Sequence, residues 1–234
     1  MKGDELPSLR REFTGTPDGA GHGREGLGGM AERRIGAVLC DLDGVLRIWS
    51  DLADVDRERG LPPGTVGGAA FRAERLLPAV TGLVSDEEWR AAVAADLVAA
   101  CGSAEAAREA VAAWGRQPVR TDAGVLALLA EVRRGGVPVV LVTNGTTRLE
   151  ADLVAHGLDT AVDAVLNTAR LGHAKPDPRV YLAAAELAGA PVERCLFVDD
   201  SAGNVAAATA LGMHGHHHRG ADGLRAALGG YGLL

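Results

Sequence analysis

Residues 35–45 read Ile35-Gly36-Ala37-Val38-Leu39-Cys40-Asp41-Leu42-Asp43-Gly44-Val45. A short apolar run that stops on two acids and a glycine is the pattern of a buried parallel strand handing polar groups to a loop. A strand covered on both faces needs no alternation, so this run predicts the first strand of a sheet with helices on either side. Comparable runs follow at 137–142 and 195–198, with weaker ones at 162–166 and 213–217. Between them lie helical patterns at 121–134, 146–156, 178–188, 202–211 and 224–228, several closed by glycine. Strand and helix alternate with short connections from residue 121 onward. That order predicts an α/β fold: a doubly wound, mostly parallel, Rossmann-like sheet with right-handed crossovers.

Residues 46–120 interrupt the alternation. Ser85-Asp86-Glu87-Glu88 is a capping box that opens a helix running to about residue 101, and a second helix is expected over 103–114. Shorter helices are expected at 52–59 and 64–77, and no strand is expected in 47–119. The predicted organisation is therefore an α/β core of 34–45 and 121–234 with an all-helical cap inserted at 46–120. Residues 1–33, Gly-rich and charged without apolar periodicity, read as a disordered tail, with Met30 a candidate translation start.

Composition narrows the function classes. The chain has 234 residues and a formal net charge of −7, with no basic block. Nucleic acid is therefore not expected as a partner, because sequence-independent binding rests on phosphate neutralisation. No apolar run approaches the ~20 residues of a membrane span, and no secretory signal opens the chain, so no membrane partner is expected. Three cysteines are too few for a disulfide framework and fit a reducing cytoplasm. Only Lys2 and Lys175 are lysines, in a chain that otherwise uses arginine. Oligomeric state cannot be read from any of these features.

Four constellations fall where strands run out or in a loop just after one, the place where open α/β sheets bind ligands. In Asp41-Leu42-Asp43-Gly44, residues i and i+2 of an extended segment point the same way, so both carboxylates are expected to face one spot. One could act ionised while the other carries a proton; an Asp-rich turn would look the same. Val142-Thr143-Asn144-Gly145 offers a hydroxyl, an amide and free N–H groups for an anion, or simply a cap for the next helix. Lys175-Pro176-Asp177-Pro178 places a compact cation on rigid chain. Val198-Asp199-Asp200-Ser201 puts adjacent acids at a strand end, which suits a hard divalent cation. Together they form a phosphoryl-transfer inventory.

Asp41-x-Asp43, Thr143, Lys175 and Asp199-Asp200, in that order, resemble the four motifs of the haloacid dehalogenase superfamily, over about residues 35–230. The resemblance implies a Mg²⁺-dependent phosphatase that hydrolyses a small phosphorylated metabolite. It implies Asp41 as nucleophile, forming an aspartyl phosphate, and Asp43 as general acid and base. Thr143, Asn144, Gly145 and Lys175 would bind the phosphoryl group. Asp41, the main-chain carbonyl of Asp43, and Asp200 would bind metal, with Asp199 orienting a metal-bound water, although either acid of the pair could ligate directly. Asn204 replaces an acid that many relatives carry. Asp43 and the acidic pair favour phosphate esters over dehalogenation. A phosphomutase and a catalytically silent binding member are the alternatives.

Other residues are weighed as structure first. The histidines at 214, 216, 217 and 218 could hold zinc or nickel, but burial of one or two on the last strand is the preferred reading. Cys40 is expected in the core, and Trp89 and Trp114 in the insertion's packing. Trp49 is expected at the cap interface, and Arg47 could meet a second anion on a substrate.

Overall fold

A computed structural model describes residues 34–51 and 53–234. The expected tail, with Met30, lies outside them. Seven strands form among the described residues: β1 (Ala37–Cys40), β2 (Arg47–Trp49), β3 (Val119–Thr121), β4 (Val139–Thr143), β5 (Ala164–Asn167), β6 (Cys195–Asp199) and β7 (His214–His217). Five of them make one sheet in the order β5-β4-β1-β6-β7, and every pairing in it is parallel. The chain moves outward from β1 to β4 and β5, then returns to the other side of β1 for β6 and β7. The first strand of the sequence is thus the central one. The C-terminal ends of β1, β4 and β6 lie side by side at the point where the winding reverses.

The apolar runs become strands because both faces are covered. One layer packs Val38, Cys40, Leu141, Leu196 and Val198 under the helices Ala123–Arg134 and Ala221–Gly230. The other packs Leu39, Val140, Val142 and Phe197 under Pro178–Ala188 and Ala202–Ala210. Each such side chain, fully buried, contributes about 1.5–3 kcal/mol relative to exposure, so the strand ends that carry polar groups sit on a rigid base. No described helix is long and apolar enough to cross a membrane.

The insertion differs from expectation at its root. Arg47–Trp49 and Val119–Thr121 pair as an antiparallel ribbon, Arg47 opposite Thr121 and Trp49 opposite Val119. Three-residue strands are too short to show alternation, and this pair is about 70 residues apart in sequence, so no local pattern announces it. Beyond the ribbon, the helices Asp86–Cys101 and Ala104–Trp114 pack with shorter ones around a separate apolar cluster that includes Val55, Val66, Trp89, Leu97, Val111 and Trp114. The Ser85 capping box forms as predicted. The segment expected as one helix over 64–77 is two, Thr65–Ala70 and Ala73–Val80, separated at Arg72, whose ψ of 137° is extended.

β7 carries histidines on an edge strand. His218, just past it, is buried, and His216 is half-buried with its ring 6.2 Å from that of His218. Burial holds both imidazoles below their ordinary range. The folded state therefore takes up protons less readily than the unfolded chain. Their stability contribution is complete above about pH 6.5 and drains away as pH falls. Replacing both with Gln is expected to leave a protein that loses less urea resistance than the wild type between pH 7.5 and 5.5. Equal losses in the two proteins would refute this.

Candidate active site

β1 ends at Cys40, and the Asp41 N–H donates to Val198 O at 2.9 Å, so the first acid is still anchored to the sheet. Asp41 Oδ1 accepts the Leu42 N–H at 2.8 Å and pairs with Lys175 Nζ at 2.8 Å. Both donors converge on one oxygen, and Oδ2 takes no hydrogen bond from the described residues. Burial pushes the Asp41 carboxyl up, to about 7, against the opposing pull of Lys175.

Lys175 answers the compositional question of why this position is not arginine. Its Nζ reaches Asp41 Oδ1 at 2.8 Å, Asp199 Oδ2 at 2.8 Å and Val142 O at 2.9 Å. Three acceptors on three different strand ends use all three ammonium protons; a planar guanidinium cannot point in those directions from one atom. The loop that carries it is fixed by Asn144. Asn144 Oδ1 accepts the Lys175 N–H at 2.8 Å, and Asn144 Nδ2 donates to Lys175 O at 3.1 Å. Asn144 therefore caps no helix; the next one is Leu149–Ala155, and no side chain caps it. Thr143, at the end of β4, is buried beside this loop.

The two acids after β6 have different surroundings. Asp199 is fully buried and takes Lys175 Nζ, the Ser201 N–H at 2.8 Å, and Asn204 Nδ2 at 3.1 Å to both oxygens. An acid at position 204 would face Asp199 with like charge; the neutral amide satisfies it. Asp200 is exposed, and its carboxyl is raised by partial burial and by the neighbouring Asp199. Gly44, at φ +80°, lies against it: a Cβ there would meet Asp200 Oδ2 at 2.1 Å. Only glycine allows both the turn and this approach.

One oxygen from each of Asp41, Asp199 and Asp200 lies within 4.8 Å of the others. Octahedral Mg²⁺ sets its ligand oxygens about 2.9–4.2 Å apart, and Asp41 and Asp200 are the acids free to meet it, because Ser201, Asn204 and Lys175 fill the lone-pair positions of Asp199. Three carboxylates against one buried ammonium also leave the cluster with surplus negative charge that a divalent cation would offset. The donor set and geometry fit Mg²⁺.

Asp43 departs from expectation. Its carboxylate is not one of the three acids that gather within 4.8 Å, and the extended strand in which i and i+2 point alike ends at Cys40. Instead Arg47 Nε donates to Asp43 Oδ1 at 2.7 Å, Arg47 Nη2 to Oδ2 at 2.8 Å, and Trp49 Nε1 to Oδ1 at 2.6 Å. Sequence reasoning gave Arg47 and Trp49 other partners; the i, i+4 spacing of Asp43 and Arg47 was the available signal. It also missed Asp86, which is buried at the start of the helix Asp86–Cys101. Thr146 Oγ1 donates to Asp86 Oδ1 at 2.9 Å, and the Asp86 N–H donates to Thr147 Oγ1 at 2.9 Å. This ties the insertion to the loop after β4. Of the histidines, His217 Nε2 lies 2.9 Å from Asp200 O, at the site's edge.

A parallel α/β sheet with acids, a lysine and free loop N–H groups at one edge defines a phosphate-handling hydrolase class. Residues 35–212 match the haloacid dehalogenase-like hydrolase family, and the chain belongs to it. Among curated proteins, it is 41% identical over 90 residues to Phosphatase MT3486 of Mycobacterium tuberculosis, covering 38% of this chain and 42% of that one. It is 27% identical over 190 residues to Hexitol phosphatase A of Escherichia coli, covering 77% and 82%. The first match thus spans less than half of that relative. Among solved structures, the fold is similar to a haloacid dehalogenase family enzyme of Bacteroides thetaiotaomicron crystallised with magnesium and inorganic phosphate. That likeness has a TM-score of 0.63 at 21% identity and covers 79% of this chain and 94% of the other.

Proposed function

We propose that this hydrolase cleaves small phosphomonoesters through an aspartyl phosphate on Asp41. The observation that carries the reading is the Asp41 carboxylate at the end of the central strand. One of its oxygens is bound by Leu42 N–H and Lys175, the other takes no hydrogen bond from the described residues, and one oxygen of Asp41 lies within 4.8 Å of one of Asp200. The free oxygen attacks phosphorus as the ester P–O bond breaks, and Asp43 gives a proton to the departing alcohol. Asp43 then takes a proton from water, whose oxygen bonds to phosphorus while the bond to Asp41 breaks and releases inorganic phosphate. Thr143 and the N–H groups of Asn144 and Gly145 hold the phosphoryl oxygens, while Lys175, whose three protons go to Asp41, Asp199 and Val142 O, offsets their charge. Asp41, the Asp43 carbonyl and Asp200 would hold Mg²⁺; Asp199, expected to orient water on it, instead spends its lone pairs on Lys175, Ser201 and Asn204 and braces Lys175 against Asp41. When bound, Mg²⁺ neutralises charge on the phosphoryl oxygens. Residues 46–120 serve as a cap that admits substrate and excludes bulk water. The names of the two curated relatives support a phosphate ester as the substrate class, and the ion and anion crystallised with the structural neighbour are consistent with it.

Phosphate release from 4-nitrophenyl phosphate is expected with Mg²⁺, to fall to background in EDTA, and to return when Mg²⁺ is restored. Release indifferent to EDTA would overturn the metal assignment. A sugar phosphate that is isomerised without freeing phosphate would make the protein a mutase.

A further inference from the structure

Asp43 is held by more protein groups than proton transfer alone requires. A carboxylate offers about four lone-pair positions. Arg47 Nε and Trp49 Nε1 occupy both on Oδ1, and Arg47 Nη2 occupies one on Oδ2. The single remaining position is on Oδ2, and the Asp43 side chain keeps 41% of its surface open. The two donors brace each other, with the buried Arg47 guanidinium 5.0 Å from the Trp49 ring centroid. They stand at i and i+2 of β2 and so share a face. That strand is pinned to β3 by the pairs Arg47 with Thr121 and Trp49 with Val119. The orientation of Asp43 is therefore fixed by the root of the helical insertion, without help from substrate.

Resting on the phosphatase reading above, we propose that Arg47 and Trp49 are positioning residues for proton transfer. They turn Asp43 so that the one open lone pair of Oδ2 serves the leaving oxygen and then the attacking water. The proton leaves Oδ2 for the ester oxygen as the P–O bond breaks, and the bonding electrons stay on that oxygen. The same lone pair later takes a proton from water as the water oxygen bonds to phosphorus and the Asp41–phosphorus bond breaks. A bidentate fork and an indole N–H fix a carboxylate in rotation as well as position, which one lysine cannot do.

The test compares kcat/KM for phenyl phosphate and 4-nitrophenyl phosphate, two esters of similar shape. The second loses a stable phenolate and depends little on an acid; the first depends on it strongly. In Arg47→Met the ratio of phenyl to 4-nitrophenyl phosphate is expected to fall about 10-fold or more, against the 10²–10⁴ that a full general acid supplies. Arg47→Lys should recover part of the loss. Trp49→Phe, a change at a half-exposed ring, keeps the ring and removes the donor. It should lower the ratio about 3-fold, and it provides the readout if the buried Arg47 cannot be replaced without unfolding. An equal fall for both esters, or an unchanged ratio in Trp49→Phe, would show that the clamp only holds the fold together and would overturn the proposal. Failure of the wild type to release phosphate from either ester with Mg²⁺ would instead overturn the phosphatase reading, and this inference with it.

Discussion

Asp41→Asn is expected to lower phosphate release on the order of 10⁴-fold or more and to leave a folded protein that, without metal, is more stable than the wild type. An amide oxygen can still accept from Leu42 N–H and Lys175 at the present 2.8 Å distances, so geometry survives while the nucleophile is lost. The stability gain follows from charge. Burial holds the Asp41 carboxyl at about 7 in the folded protein, against about 3.9 in an unfolded chain. The folded state thus binds this proton more tightly. Its contribution to stability is greatest below about pH 4, declines as pH rises, and levels off above about 7. At pH 8 the Asn variant escapes that cost, by about 1–3 kcal/mol. Urea unfolding at pH 8 in EDTA measures it. Mg²⁺ should raise the wild-type midpoint and move the variant's less, because a ligand oxygen has lost its charge. Turnover near wild type would sink the nucleophile assignment, and a variant less stable than wild type would refute the cost of the buried charge.

Lys175→Met is expected to abolish activity and to destabilise the fold by about 3–5 kcal/mol, the usual cost of breaking a buried ion pair from one side. The loss is large because Asp199 is fully buried and Asp41 nearly so, and Lys175 is the cation between them. The same substitution combined with Asp199→Asn should recover part of the stability and none of the activity, because the buried negative charge is halved while the cation stays absent. A double-mutant cycle by urea unfolding gives the coupling energy. Additive losses would mean that Lys175 does not act as the counter-ion of Asp199, and retained turnover would remove it from the site. Lys175→Arg should also fail, since one atom must serve Val142 O, Asp41 and Asp199 at once.

The apolar runs ending on polar residues, and the glycine-closed helices between them, were legible because burial on both faces and helix termination are local demands on composition. They gave the parallel α/β class and placed Asp41, Thr143, Lys175 and Asp199 near strand ends. Gly44, which closes the acid-bearing stretch, has positive φ. The β2–β3 ribbon was not legible, since neither three-residue strand carries a pattern until its distant partner lies beside it. Nor were the Asn144 bonds to the Lys175 backbone, the Asn204 contact with Asp199, or the Asp86 link to Thr146 and Thr147. Each is a satisfied hydrogen bond between segments, and an amide or a carboxylate has no periodicity that names its partner.

By itself, then, the sequence determined the strands and helices of the five-stranded core and which chemistry-bearing groups follow them, because propensity, burial and capping act over a few residues. Only the tertiary structure decided that β1 lies between β4 and β6, which brings Lys175 Nζ onto Asp41, Val142 and Asp199 together. Only it decided that Asp43 turns to Arg47 and Trp49 rather than to Asp41. Strand order and the pairing of buried charges are settled by which non-local arrangement covers the apolar faces and leaves the fewest polar groups unpaired, and that choice belongs to the whole chain.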